Sequence, residues 1–219
     1  MRKFCTERFS TNSTSHFGHN QQAVIHQGIC YSSQFDPVSF VTYLSYDSRK
    51  TAPAIQAHLK PIVDYFTGKF DSLSKVIILS DGPSSQYRNR FTVTAVDTLM
   101  KQVGVRDWCW VFSESGHGKG PSDGVGSAVK RGCDSDVARG CPIRTIQDIR
   151  NTLDNRDSKV LNHAVTTDAI DECENILKDI TVPKIPGIAE THFNRVANDS
   201  IRYSNLYYTQ CNPAWSPCA

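Results

Sequence analysis

Residues 76–90 read VIILSDGPSSQYRNR, and the fold turns on how that stretch is taken. Val76, Ile77, Ile78 and Leu79 are apolar without alternation. A short run of this kind, rich in β-branched residues, is the pattern of a strand buried on both faces of a sheet. It ends on Ser80, Asp81 and Gly82, followed by small residues, a glutamine, a tyrosine and the arginines Arg88 and Arg90. Asp81 then stands at the carboxyl end of a central strand, where open α/β sheets bind ligands. Ser-Asp-Gly after a strand is also ordinary turn chemistry. Asp81 therefore holds either a turn or an ion.

Working outward, residues 87–104 have helical spacing, with Phe91, Leu99 and Val103 on the buried side and Gly104 as the stop. DWCWVFSE, residues 107–114, is the next strand, and 76–80 and 108–113 are expected to be parallel neighbours. Upstream, 22–31 and 38–45 read as strands joined by the turn SSQFDP. A helix follows over 51–70, with Ile55, Leu59, Ile62, Val63 and Phe66 on one stripe, Thr51 as N-cap and a kink at Pro61. Beyond the second strand–helix–strand unit, 115–123 is a loop and 122–133 a helix despite its glycines. Ile143, Ile146, Ile149 and Leu153 mark a helix over 142–154, and another, capped at Thr167, spans 166–180. Residues 185–193 and 200–208 look like strands, while the polar first fifteen residues show no strand pattern. Alternating strands and helices define an α/β class: a mixed sheet flanked by helices over 16–135, with a C-terminal helical and mixed extension over 136–219.

Composition narrows the classes of function. At 39% hydrophobic residues, the 219-residue chain has enough apolar side chains for a sizeable core. No apolar run reaches the roughly 18 residues that span a membrane. The N-terminal residues carry no apolar signal segment, so a nuclear or cytoplasmic rather than secreted protein is expected. The eight cysteines include no Cys-x-x-Cys pair, and reduced thiols are expected. Cys133 with Cys141, or Cys211 and Cys218 with His192, match no common zinc spacing. His26, His58, His163 and His192 are isolated and read as structural. A net charge of +2 does not by itself point to a polyanionic partner.

A second stretch changes the weight on Asp81. SGHGKGPSDGVGSAVKR, residues 115–131, follows the strand after Asp81 and brings His117, Lys119 and Asp123 into one loop and helix start. Its GHGKG lacks the spacing of a P-loop. Carboxylates at a strand end and at a following helix start can converge on Mg²⁺ or Mn²⁺, which take hard oxygen ligands and leave room for a phosphate. A pair of such ions clamps the attacking and leaving oxygens of a phosphodiester.

LSDGPSSQYRNRF followed by WCWVFSESGHGKGPSDGVGSAVKR closely resembles a transposon-derived family of animal genomes, the ribonuclease H-like integrase domains of DDE/DDD type. Its members carry S-D-G-x-x-x-Q-Y-[KR]-N and G-K-[GS]-P-x-D-G-x-G motifs. NQQAVIHQGICY and VPKIPGIAETHF resemble its flanking segments, so the likeness spans roughly residues 16–195. It implies a ribonuclease H-like mixed sheet and three carboxylates binding two divalent ions for DNA strand cleavage. Asp81 matches the second carboxylate and Asp123 the third, with His117 in the loop before it. Lys119, Gln86, Tyr87, Arg88, Lys130 and Arg131 fall where phosphate contacts are expected. The first carboxylate belongs to an earlier strand with an Asp-[FY]-x-Glu-Asn pattern. Here that region, MRKFCTERFSTNSTS, holds Glu7 but no matching Asp and no evident strand.

These readings lead to one expectation and one alternative. The expectation is a transposase-derived domain acting on DNA, holding Mg²⁺ or Mn²⁺ weakly, with little or no cleavage because the first carboxylate is missing. The alternative is a non-catalytic host domain that binds DNA or protein on the same scaffold.

Overall fold

The computed structural model describes residues 3–10, 23–32, 34, 36–45, 49–70, 73–113, 121–156, 160–197 and 200–204; of residues 3–10, 23, 44 and 45 it describes the backbone alone. Among the described residues, eight strands form two sheets. The first contains β1 (Lys3–Ser10), β2 (Ala23–Tyr31), β3 (Val38–Ser45) and β6 (Val160–Ala164) in the order β1-β2-β3-β6. Its first two pairings are antiparallel, and β6 runs parallel to β3. The second contains β4 (Val76–Asp81), β5 (Asp107–Ser113), β7 (Phe193–Ala197) and β8 (Ser200–Ser204) in the order β4-β5-β7-β8. As the sequence pattern requires, β4 and β5 are parallel, with Val76 opposite Trp108 and Asp81 opposite Ser113. β7 and β8 extend that edge antiparallel. β1 packs alongside β4, so the two sheets meet there and read β6-β3-β2-β1-β4-β5-β7-β8.

Helices α1 (Ala52–Thr67) and α2 (Arg90–Gln102) cover one face of both sheets. A single apolar cluster joins Cys30 and Phe40 of the first sheet to Ile78 and Trp110 of the second through Leu59 and Val96. On the opposite face, α3 (Pro121–Ala138) and α4 (Ile146–Asp154) pack on the first sheet, with Val129 and Leu153 against Ile25 and Val41. Helix α5 (Thr167–Lys178) lies on α1, pressing Ile170 and Cys173 against Ala54 and Ala57. A parallel β4–α2–β5 unit beside antiparallel strands makes the domain a mixed α/β fold.

Several sequence expectations shift here. The N-terminal segment, expected to be strandless, contains β1, whose Glu7 stands opposite Gln27. Its polar residues are carried by ladder bonds to β2 rather than by an alternating pattern. The expected boundary at 135/136 falls within α3, and β6, β7 and β8 are hydrogen-bonded into the two sheets. β6 escapes detection because its five residues, VLNHA, include two polar side chains. Residues 185–193 do not form a strand. Gly187 adopts φ +67°, a left-handed conformation suited to glycine, and opens a short 3₁₀ turn (Ile188–Glu190) before β7. Phe91, expected to be buried, is 52% exposed, because α2 turns Val93, Val96, Leu99 and Met100 inward instead. Thr166 rather than Thr167 caps α5, accepting from the Ala169 amide at 3.2 Å. Thr51 occupies the N-cap of α1 without a side-chain bond, and the helix continues through Pro61.

The glycines of α3 are not equivalent. A Cβ on Gly126 would lie 2.8 Å from the Gln27 amide of β2, whereas one on Gly124 would meet nothing within 4 Å. Gly126 therefore lets the helix approach the sheet, and Gly124 only lowers helix propensity. Gly126→Ala should destabilise the chain by about 1–3 kcal/mol. Gly124→Ala should stabilise it by up to about 1 kcal/mol. Chemical denaturation of the two variants beside the native chain measures both signs.

Candidate functional site

The direction of β4 is set by a buried polar bond. Trp110 Nε1 donates to Ser80 Oγ at 2.9 Å, and Ser80 Oγ donates to the Asp81 carbonyl at 2.6 Å. Ser80 is 4% exposed and lies on the α1/α2 side with Val76 and Ile78. Strand alternation then sends Asp81 to the other face, the one that carries α3. In the first sheet the same face belongs to Ile25, which packs with Val125 and Val129, and to Gln27, which meets Gly126. Position 7 of β1, paired with Gln27, falls on that face as well. Position 7, Asp81 and α3 therefore share one face near the β1–β4 junction.

After Asp81 the chain makes a tight turn. The Pro83 carbonyl accepts from the amides of Gln86 at 3.0 Å and Tyr87 at 2.9 Å. Asn89 then caps α2 by accepting from the Thr92 amide at 2.9 Å, and Thr92 Oγ1 donates to the Gln86 carbonyl at 2.6 Å. Tyr87 does not reach solvent as a ligand contact would. It is 5% exposed, its ring 5.5 Å from that of Trp110, and it belongs to the core. Its aromatic burial outweighs the polar context of QYRN. Arg88 is also directed inward. Its Nη2 donates to the Ser113 carbonyl at 3.1 Å, and its guanidinium lies 5.3 Å from the Phe112 ring centre. Gly82 makes this possible, since a Cβ there would sit 2.1 Å from Arg88 Nε. Gln86 is half-buried, with Oε1 enclosed and without a hydrogen-bond partner among the described residues. Of the expected phosphate contacts with described side chains, Lys130 and Arg131 are the exposed ones, side by side on α3.

Asp123 occupies the first turn of α3, half-buried, where an acidic side chain is favoured by the helix dipole. His117 and Lys119 lie outside the described residues. Among the residues whose side chains are described, no three of His, Cys, Asp and Glu cluster closely enough to hold an ion. Asp81 Oδ1 is withdrawn from solvent. The second sheet remains accessible on the α3 face, where Leu79 is 40% exposed. The cysteines contribute packing. Burial pushes the Cys109 thiol up to about 12 and the Cys133 thiol up to about 11, so both remain protonated near neutrality. Two features escaped the sequence reading: β1 beside Asp81, and Gln27. The close-approach glycine Gly126 was the one available signal for Gln27.

A mixed α/β domain with a carboxylate at the end of a central parallel strand is the class that fold and site define. The chain belongs to the family described as Domain of unknown function (DUF8701), whose model matches residues 9–206. Neither a curated protein nor a solved structure gives a significant match.

Gly82 and Arg88 form one unit at this site. Gly82→Ala should displace the guanidinium and lose its bonds to Ser113 and Phe112, as Arg88→Ala does directly. The double variant should cost about as much as either single one, a coupling of about 0.5–3 kcal/mol. A denaturation double-mutant cycle measures it; additive losses would contradict the shared contact.

Proposed function

We propose that this chain is a transposase-derived, ribonuclease H-like domain that acts on DNA with a divalent metal ion. One observation carries the reading: the central strand order β3-β2-β1-β4-β5, with β1–β3 antiparallel and β4–β5 parallel. That is the strand arrangement expected of a ribonuclease H-like sheet, and Asp81 ends β4 beside β1. The presence of β1 also supports a candidate for the first carboxylate, which the sequence pattern alone lacks. Glu7 lies at a central register position of that strand, on the sheet face shared with Asp81 and α3.

The donor chemistry fits a hard cation. Glu7, Asp81 and Asp123 offer carboxylate oxygens, the ligand type that Mg²⁺ and Mn²⁺ prefer. When bound, such ions neutralise charge on a phosphodiester and activate the attacking oxygen. The protein's part is positioning. The Ser80–Trp110 bond holds Asp81 at its strand end, Gly126 seats α3, and Lys130 and Arg131 offer phosphate contacts. Glutamate in place of the family's aspartate lengthens one ligand by a methylene, which supports slow rather than efficient cleavage.

A second reading is a non-catalytic DNA- or protein-binding domain on the same scaffold, for which Lys130 and Arg131, exposed side by side on α3, offer a contact surface. An assay separates the two. The purified chain is incubated with labelled supercoiled plasmid and Mn²⁺, beside Asp81→Ala and Glu7→Ala. Slow nicking that falls at least tenfold in both variants is expected. DNA binding with no metal-dependent nicking in any variant would favour the second reading. In either case Lys130→Ala combined with Arg131→Ala should weaken duplex binding about equally across sequences. It should also reduce the salt slope by about 0.9 per lost phosphate contact.

A further inference from the structure

Helix α2 carries a surface that the carboxylate site leaves unused. Phe91, in its first turn, is 52% exposed, and the Arg90 guanidinium lies 4.8 Å from its ring centre. The ring borders a cavity of about 630 Å³ between the starts of α1 and α2 and the end of α5, with Leu177 and Val182 in its wall. A second cavity, of about 650 Å³, continues along α2 and reaches Tyr203 of β8, which is 41% exposed. The two share Thr94 and Ile180, so they run together as one groove. It follows α2 from Phe91 to Lys101, about 15 Å at the rise of an α-helix. The threonines of its floor bond back to the helix. Thr94 Oγ1 donates to the Arg90 carbonyl at 2.8 Å and Thr98 Oγ1 to the Thr94 carbonyl at 2.9 Å, which leaves their methyl groups to the groove.

The charge of this groove is one-sided. Its acids are neutralised in place: Asp97 pairs with Lys101 at 2.9 Å, and Glu174 lies 3.6 Å from Arg49. Lys50, Lys178 and Lys184 line the same groove with no ion pair among the described residues, Lys178 Nζ donating only to the neutral Asn175 side chain at 2.7 Å. The complementary occupant brings flat rings to Phe91 and Tyr203 and negative charge to the lysines. A duplex keeps its bases in its own stack, whereas a single strand offers ring faces and phosphates together. The groove also includes Ser85 and Asn89, in the turn that leads from Asp81 into α2. We propose that it binds single-stranded DNA, with bases stacked on Phe91 and Tyr203 and phosphates at Lys50, Lys178 and Lys184. The choice of DNA rests on the reading above. The site itself is separate, since it lies on the α1/α2 face and Lys130 and Arg131 lie on α3.

The test is fluorescence anisotropy of labelled oligothymidine of about twelve nucleotides, titrated with the full chain in the absence of metal. Phe91→Ala should raise the Kd about five- to 150-fold, and Phe91→Tyr, which keeps a ring, should leave it near the native value. Should Phe91→Ala lower the thermal midpoint, Tyr203→Ala carries the same comparison. Lys50→Ala combined with Lys184→Ala should weaken binding and reduce the salt slope by about 0.7 per lost phosphate contact. A blunt duplex presents no free base, so its binding should depend on Lys130 and Arg131 and not on Phe91. Oligothymidine left unbound, or bound without regard to Phe91 and the two lysines, while the duplex still binds, overturns this inference alone. Tighter binding of oligouridine through the same residues overturns the assignment to DNA, and displacement of oligothymidine by a glutamate-rich peptide at lower concentration overturns it in favour of an acidic protein partner. A chain that binds neither oligothymidine nor duplex overturns the inference together with the DNA reading.

Discussion

The hydrogen bond from Trp110 Nε1 to Ser80 Oγ constrains everything around the site. Side chains on a strand alternate, so a bond that draws Ser80 into the α1/α2 core turns Asp81 toward the α3 face. The same bond ties β4 to its parallel neighbour at the end where the turn begins. Trp110 in turn packs against Tyr87 and Phe112, and Arg88 lies over Phe112. The conspicuous polar motif after Asp81 is thus mostly internal carpentry. Tyr87 and Arg88 brace the strand end, Asn89 starts α2, and Gly82 leaves room for the guanidinium.

A second constraint acts from the far side of the sheet. Helix α3 reaches β2 only because Gly126 brings no side chain, and its first turn carries Asp123. The two motifs that look alike in sequence, each an aspartate followed by glycine, therefore use their glycines differently. Gly82 accommodates an arginine from its own loop. The D-G-x-G run needs its second glycine for contact with another element, while Gly124 faces open space.

Legibility followed burial pattern. The Trp-rich β5 and the 3.6-residue stripe of α1 were readable because each buries what its period predicts, and the apolar run of β4 was readable as a strand although Leu79, expected to be buried, is 40% exposed. The parallel pairing of β4 with β5 was readable for the same reason. β1 and β6 were not. Their residues, KFCTERFS and VLNHA, mix polar and apolar side chains on both faces, and pairing to β2 and β3 supplies what propensity does not. At the site, Asp81 and Asp123 were visible as motif residues. The inward roles of Tyr87 and Arg88 were hidden, because composition reports that a residue is amphipathic but not which end its fold buries. Gln27 was hidden more deeply: a glutamine within a strand pattern resembles any solvent-facing polar residue until the helix above it is known.

The placement of Glu7 depends on register rather than on composition. β1 pairs with β2 so that residue 7 opposes Gln27, and the sheet face follows from that pairing. A slip of one residue would set Thr6 or Arg8 opposite Gln27 and move position 7 to the face covered by α1 and α2. The observed register sets position 8 opposite His26, whose ring stacks on His58 of α1 at 4.0 Å, and positions 5, 7 and 9 opposite Ile29, Gln27 and Ile25 on the α3 face. Charged residues thus fall on both faces of β1, and their polarity does not choose between the registers. The choice is made by β2, which is itself pinned on one face by Cys30 in the α1/α2 cluster and on the other by Ile25 beneath α3. A strand with a weak intrinsic pattern takes its register from a partner with a strong one.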